Sequence, residues 1–177
     1  TQNPKDGVIA IYNWEQLTEI PETDAIVHLA GKAHDTKKQS EAAEYFAVNT
    51  GLTQKIFDYF MESSARKFIF FSSVKAAAES VAGEYLTEDA APAPKGPYGE
   101  SKIKAEEYLL SKLSLAEKLQ KKVYIVRPCM IHGPGNRGNL NLLYQVVSKG
   151  IPWPLGSFDN RRSFCSIDNI AFVVEQL

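Results

Sequence analysis

Cysteine is scarce in this chain of 177 residues: Cys129 and Cys165 stand 36 positions apart, with no CxxC pattern and no clustered histidines. That spacing offers neither a disulfide framework nor a zinc site, so no metal is expected. Both thiols sit among apolar neighbours and read as small hydrophobes in a reducing compartment, which makes the expected location cytoplasmic. An excess of one charge is missing too. Lys and Arg number 20 against 21 Asp and Glu, scattered along the chain, which gives no support for a nucleic-acid partner. Long hydrophobic runs are absent: KFIFF and VYIV fall far short of the roughly 18 residues of a membrane span, so no membrane partner is expected. No internal repeat is present, and no GxGxxG or GxxGxxG follows any strand-like run.

What remains is an ordinary globular composition, 44% apolar and 23% charged, with a length that suits one domain core. Strand-like runs alternate with helix-like ones. Asp24 to Leu29, Lys67 to Phe71 and Lys122 to Arg127 read as buried strands, and Val8 to Ile11 as a further strand. Ser40 to Glu62 and Tyr98 to Leu119 carry apolar residues at three- and four-residue intervals and read as helices. Ala76 to Lys95, with Gly83, Pro92 and Pro94, reads as an irregular excursion, and a helix begins near Asp168. Strand, crossover helix, strand, repeated, predicts an α/β fold with a parallel sheet covered on both faces. Ligands of such sheets sit beyond the carboxyl ends of the strands, which draws attention to the loops Gly31 to Asp35, Ser72 to Lys75 and Pro128 to Gly138.

Tyr98 and Lys102 stand at i and i+4 in PYGESKIKAE, so a helix projects both from one face. An ammonium beside a phenol favours the phenolate, which suits proton transfer at a carbinol or ketone. Ser73 ends a buried strand 25 residues upstream, where its hydroxyl could hold the oxygen that Tyr98 protonates. With these three residues the sequence resembles the extended short-chain dehydrogenase/reductase superfamily, in its NAD-dependent epimerase/dehydratase branch of UDP-glucose 4-epimerase-like proteins. The resemblance rests on VHLAG (Val27 to Gly31), VNTGLT (Val48 to Thr53), FIFFSSVK (Phe68 to Lys75), PYGESKIKAE (Pro97 to Glu106), VRPCMIHGPG (Val126 to Gly135), GNLNLL (Gly138 to Leu143) and RSFCSIDN (Arg162 to Asn169).

The resemblance implies a Rossmann-like doubly wound parallel sheet, incomplete at the N-terminus, with the start of a small C-terminal substrate lobe. Residues 1–135 would be a partial NAD(P)-binding domain and 136–177 a partial substrate-binding region. It implies catalysis by Ser73, Tyr98 and Lys102. It implies NAD, with NADP possible, held by Leu29, Ala30, Gly31, Ser72, Tyr98, Lys102 and Pro128, and a nucleotide sugar contacted by Asn49, Ser73, Asn139, Leu140 and Arg162. The implied activity is nucleotide-sugar 4-epimerisation on a UDP-hexose or UDP-N-acetylhexosamine. The alternatives are a 4-keto reductase of the same family and a non-catalytic NAD(P)-binding regulator, and the implied parent is a homodimer.

There are departures from the family pattern. Val74 and Lys75 replace the acidic pair of the 4,6-dehydratases, which argues against elimination of water. Ala76, Ala77 and Ala78 replace an aromatic-glycine pair, and Met130 replaces a frequent asparagine, which bears on substrate identity rather than redox chemistry. The glycine-rich opening of the family is absent, so the chain is expected to be an internal fragment of a protein of roughly 300 residues, binding the dinucleotide weakly or not at all, without turnover as it stands, and prone to self-association through an uncovered sheet edge. Other residues read blandly: His28 as a packed core histidine, His132 as a loop residue without a role, Arg161 and Arg162 in part as solvated charge, Asp168 and Asn169 as a helix cap, Trp14 and Trp153 as structural.

Overall fold

The computed structural model describes residues 8–33, 41–81, 83–134, 139–152 and 161–177, apart from the side chain of Asn139. The chain divides into two compact units, one running to Val126 and the other from Arg127 to Leu177.

The first unit is built on three parallel strands, β1 (Ala25–His28), β2 (Lys67–Phe71) and β3 (Lys122–Val126), in the order β1-β2-β3. The register aligns Ala25 with Lys67 and Lys67 with Lys122. Its central strand is almost wholly buried, as expected for an apolar run with neighbours on both edges. The first crossover comprises α1 (Ala42–Tyr45), a π-helical segment (Phe46–Gly51) and α2 (Leu52–Glu62). Ser73 caps α3 (Val74–Ala77), and the second crossover continues through α4 (Gly96–Ser111) and α5 (Leu113–Lys118).

One apolar cluster joins Ile56, Phe57 and Phe60 of α2, Phe68 and Phe70 of β2, and Ala105 and Leu109 of α4. Phe57 meets Phe68 edge-on at 5.0 Å, and Phe60 meets Phe68 at 5.2 Å. Each buried phenylalanine contributes about 2 to 3 kcal/mol of burial free energy. Because α2 and α4 both touch Phe68 and Phe70, they lie on the same face of the sheet. Handedness explains it, since right-handed crossovers between strands added in one direction place their helices on one side. The expected cover on both faces is thus not supplied by these two helices, and Val27, whose side chain alternates to the opposite face, is exposed.

Behind α2, Lys121 has the chemistry of a helix cap. Its Nζ donates to the carbonyls of Phe60 at 2.8 Å, Ser63 at 2.6 Å and Ala65 at 2.8 Å, and it lies 4.6 Å over the Phe60 ring. These oxygens end α2 and open the turn into β2; the Phe60 carbonyl also accepts from the N–H and hydroxyl of Ser63, at 3.2 and 2.9 Å.

The second unit contains a two-stranded parallel sheet, β4 (Met130–His132) with β5 (Phe164–Ser166), and the helices α6 (Asn139–Ser148) and α7 (Ile167–Gln176).

Several local expectations need correction. Val8 to Ile11 form no strand: the apolar run has no partner strand among the described residues, and Ile9 is 99% exposed. The helix read from Ser40 starts at Ala42 and changes pitch at Phe46, where the N–H of Leu52 reaches the Ala47 carbonyl five residues back. The helix read from Tyr98 to Leu119 begins at Gly96 and breaks at Lys112. His132 and Met130, expected in a loop, lie in β4, while Gly135 to Gly138 fall outside the described residues, as does Trp153. The cap of α7 is Ser166, whose Oγ accepts the N–H of Asn169 at 3.1 Å, not Asp168 or Asn169. Trp14 is half-exposed, and Cys129 and Cys165 are free thiols.

Candidate active site

The carboxyl end of β2 is where the chemistry gathers. Lys102, on α4, runs its stem over the Phe70 ring, with Nζ 4.9 Å from the centroid, and donates to the carbonyl of Phe71, the last residue of β2, at 2.8 Å. The side chain is buried, and burial lowers its pKa from 10.5 to about 8, while the charge of Glu106 opposes that fall. An ammonium held there stays largely protonated at neutral pH yet is far easier to deprotonate than a surface lysine.

Two hydroxyls follow that carbonyl. Ser72 donates to the Glu106 carboxylate, and its backbone N–H donates to the Val126 carbonyl at 2.8 Å. Ser73 caps α3, its Oγ accepting the N–H of Lys75 at 3.2 Å, so the hydroxyl proton stays available for another acceptor. Tyr98 is half-buried in the first turn of α4, one turn before Lys102. The seam between α3 and α4 is tight at the neighbouring Gly99, where an added Cβ would lie 2.5 Å from the Lys75 carbonyl oxygen. Only a residue without a side chain lets the segment capped by Ser73 approach the turn carrying Tyr98 this closely.

Asn49 is fully buried and sits inside the π-helical segment. Its Oδ1 accepts the N–H of Lys32 at 2.7 Å, and its Nδ2 donates to the Lys32 carbonyl at 3.0 Å and to Ser101 Oγ at 2.9 Å. This clamp fixes the loop after β1 against α4. A Cβ on Gly31 would stand 3.1 Å from both Asn49 Oδ1 and Lys102 Nζ, so the loop backbone passes directly over these two groups. Leu29 and Gly31 are exposed, and Ala30 is half-buried.

His28 is 3% exposed and stacks on Phe70 at 5.6 Å, which agrees with a packed core histidine. Burial first, then the Lys102 charge, lowers its pKa from 6.5 to about 4. Thr53 spends its one hydroxyl proton on the Asn49 carbonyl at 2.7 Å, so the 2.8 Å contact with His28 Nε2 requires the ring to donate. That bond places a proton on Nε2, and the lowered pKa leaves the ring neutral at pH 7.

Gly31, Asn49, Ser72, Ser73, Tyr98 and Lys102 all belong to the first unit, at or beside the carboxyl ends of β1 and β2. Pro128, Leu140 and Arg162 belong to the second unit, where Pro128 and Leu140 are half-buried and Arg162 is exposed. The Asn139 side chain lies outside the described residues. Sequence reasoning missed Glu106, Ser101 and Gly99. Glu106 follows Tyr98 and Lys102 at the next interval of four, which places it on the same helical face and was the available signal.

A parallel α/β sheet with a buried lysine and two serines at the end of its central strand defines a Rossmann-like fold with a polar cluster at the strand ends. The model of the NAD dependent epimerase/dehydratase family matches residues 9–176, and the chain belongs to that family. It is similar to a UDP-glucose 4-epimerase of Vibrio cholerae, 38% identical over 157 residues, covering 86% of this chain and 47% of that protein. It is 29% identical to an Escherichia coli O157:H7 N-acetyl-alpha-D-glucosaminyl-diphospho-ditrans,octacis-undecaprenol 4-epimerase, covering 83% of this chain and 43% of that one. The chain spans about half the length of these relatives or less. Among solved structures, RMD from Pseudomonas aeruginosa complexed with NADPH superposes with a TM-score of 0.76 at 22% identity, over 96% of this chain and 63% of that chain. The Thermotoga maritima UDP-glucose 4-epimerase with UDP-glucose gives 0.73 at 22% identity, over 90% and 53%. Among the described residues, no helix is long and apolar enough to cross a membrane.

Proposed function

We propose that the protein of which this sequence is a part is an NAD(P)-dependent nucleotide-sugar 4-epimerase, acting on a UDP-hexose or UDP-N-acetylhexosamine. The observation that carries this reading is Lys102: a buried ammonium bonded to the last carbonyl of β2, directly before Ser72 and Ser73, on the helix that bears Tyr98 one turn earlier. The likeness to the Vibrio cholerae 4-epimerase supports the reaction type.

The residues present fit a dinucleotide. The loop after β1 packs so closely on Lys102 and Asn49 that a Cβ on Gly31 would crowd both, which brings its backbone to the strand end beside the Lys102 ammonium. Leu29, Ala30, Gly31, Ser72, Tyr98, Lys102 and Pro128 would hold it, and when bound it would accept and return a hydride at the sugar carbon. Lys102 uses one proton on Phe71 and keeps two for hydroxyls of a bound ribose. Ser73 donates to the sugar oxygen, and Tyr98 exchanges a proton with it as the carbon changes oxidation state. Asn49 acts through the backbone clamp at Lys32. Residues 1–135 serve the cofactor and 136–177 the substrate, with Asn139, Leu140 and Arg162 as the diphosphate contacts, a guanidinium being well matched to phosphate oxygens. The assembled enzyme is read as a cytoplasmic homodimer.

A 4-keto reductase would use the same proton machinery and differs in cofactor stoichiometry. A non-catalytic regulator is disfavoured because Ser73, Tyr98 and Lys102 are all retained. The test is incubation of the protein with UDP-N-acetylglucosamine or UDP-glucose and either form of the cofactor. Formation of the C4 epimer without net cofactor consumption supports the epimerase, and stoichiometric loss of reduced cofactor on a keto-sugar supports the reductase. Tyr98→Phe is expected to lower kcat by about 100- to 10,000-fold. An unchanged rate in that variant would remove Tyr98 from the mechanism.

A further inference from the structure

The buried acid on α4 has no part in the mechanism above. Glu106 is 0% exposed, stands one helical turn beyond Lys102, and accepts the hydroxyl proton of Ser72 from the carboxyl end of β2. A fully buried carboxylate is costly unless something in the fold uses its charge. We propose that Glu106 is a positioning residue of the site: its carboxylate ties the Ser72 end of β2 to α4 and keeps the Lys102 ammonium charged. This rests on the reading of Lys102 as a working group.

Geometry gives both halves of that role. Lys102 anchors to the Phe71 carbonyl and Glu106 to the Ser72 hydroxyl, so two successive residues of the strand end are held by two successive turns of one helix. Among the described residues, the titratable groups around Lys102 are His28 from β1 and Glu106 from α4, with Tyr98 one turn earlier on α4. Asn49 from the π-helical segment, Phe70 and Phe71 from β2, and the Gly31 backbone complete its surroundings. His28 is neutral at pH 7, because burial and the Lys102 charge lower its pKa to about 4. Burial alone drives the Lys102 pKa down, and the Glu106 charge is the influence that opposes it. Without that charge Lys102 would lose its proton closer to neutrality and with it the positive charge the site depends on.

The experiment is an NMR titration of lysine 13Cε in the labelled protein, with the Lys102 resonance assigned by its loss in Lys102→Arg. The midpoint is expected near 8 in the parent. It should fall by about one pH unit in Glu106→Gln, stay with the parent in Ser72→Ala, which keeps the charge, and return to the parent value in Glu106→Asp. Should the Gln variant fail to fold, the double variant Ser72→Ala/Glu106→Leu removes both polar partners together, a change that cores tolerate better, and its midpoint should fall likewise. A midpoint that stays put once the charge is gone overturns the proposal, as does a fall in Ser72→Ala as large as that in Glu106→Gln. The alkaline limb of kcat/KM should move down with the Lys102 midpoint. Absence of any turnover, with the midpoint still following Glu106, would refute the epimerase reading and leave the coupling intact, whereas normal turnover with an unmoved limb would refute the coupling alone.

Discussion

Replacing Lys102 by Met should abolish turnover and yet leave the fold as stable as before, or more so. The reasoning starts from the cost of holding an ammonium between Phe70 and the Phe71 carbonyl. A pKa lowered from 10.5 to about 8 means that the charged form is disfavoured in the fold by about 3 kcal/mol relative to water. Methionine has nearly the same length and no charge, so that penalty disappears. Against it stands the Phe71 carbonyl, which loses its 2.8 Å donor at a cost of about 1 to 3 kcal/mol. The balance is a gain of about 0 to 2 kcal/mol near pH 7, by the same two quantities.

The pH dependence is the sharper check. Because the folded pKa lies below the unfolded one, the unfolded chain binds more protons between about pH 8 and 10.5, and the parent gains stability as pH rises through that window. The advantage of Lys102→Met should therefore shrink between about pH 7 and about pH 10 in urea unfolding monitored by circular dichroism. A variant less stable than the parent by more than about 1 kcal/mol near pH 7, or a difference indifferent to pH, would refute the argument.

Other outcomes follow from single contacts. Gly99→Ala places a methyl 2.5 Å from the Lys75 carbonyl oxygen and should cost about 1 to 3 kcal/mol. Its loss of kcat should exceed what the unfolded fraction explains, because the Ser73 segment is pushed from Tyr98; thermal unfolding and steady-state kinetics on one preparation separate the two effects. Lys121→Met strands the carbonyls of Ser63 and Ala65, while that of Phe60 keeps its bonds from Ser63, and should destabilise by about 2 kcal/mol or more, with kcat unchanged at temperatures where the variant stays folded.

The three strands were legible, but only the central one is buried as expected: KFIFF is flanked on both edges, whereas β1 buries only His28 and β3 no residue fully. Tyr98 and Lys102 were legible from their interval on a helix. What escaped were residues whose meaning depends on distant partners. Glu106 lies in KAEEYLL and looks like a solvated charge until Ser72 is seen to meet it, and Lys121 looks like one half of a surface Lys-Lys pair. Asn49 was singled out by resemblance, but nothing in the sequence announces the wider helical turn that presents it to Lys32 and Ser101. Short strands such as β4 and β5 carry too few residues for a period to emerge, and the apolar run Val8 to Ile11 has no neighbour to pair with among the described residues.

Lys121 also sets an order of events. The carbonyls it satisfies lie 61, 58 and 56 positions earlier, at the corner where α2 turns into β2. As the chain leaves the ribosome, that corner emerges long before its lysine does, and the Ser63 and Ala65 oxygens must stay hydrated until then. The residue just before β3 thus acts as a latch: arrival of the third strand and drying of the corner are one step, so a nascent chain halted before it would hold the first two strands together only loosely.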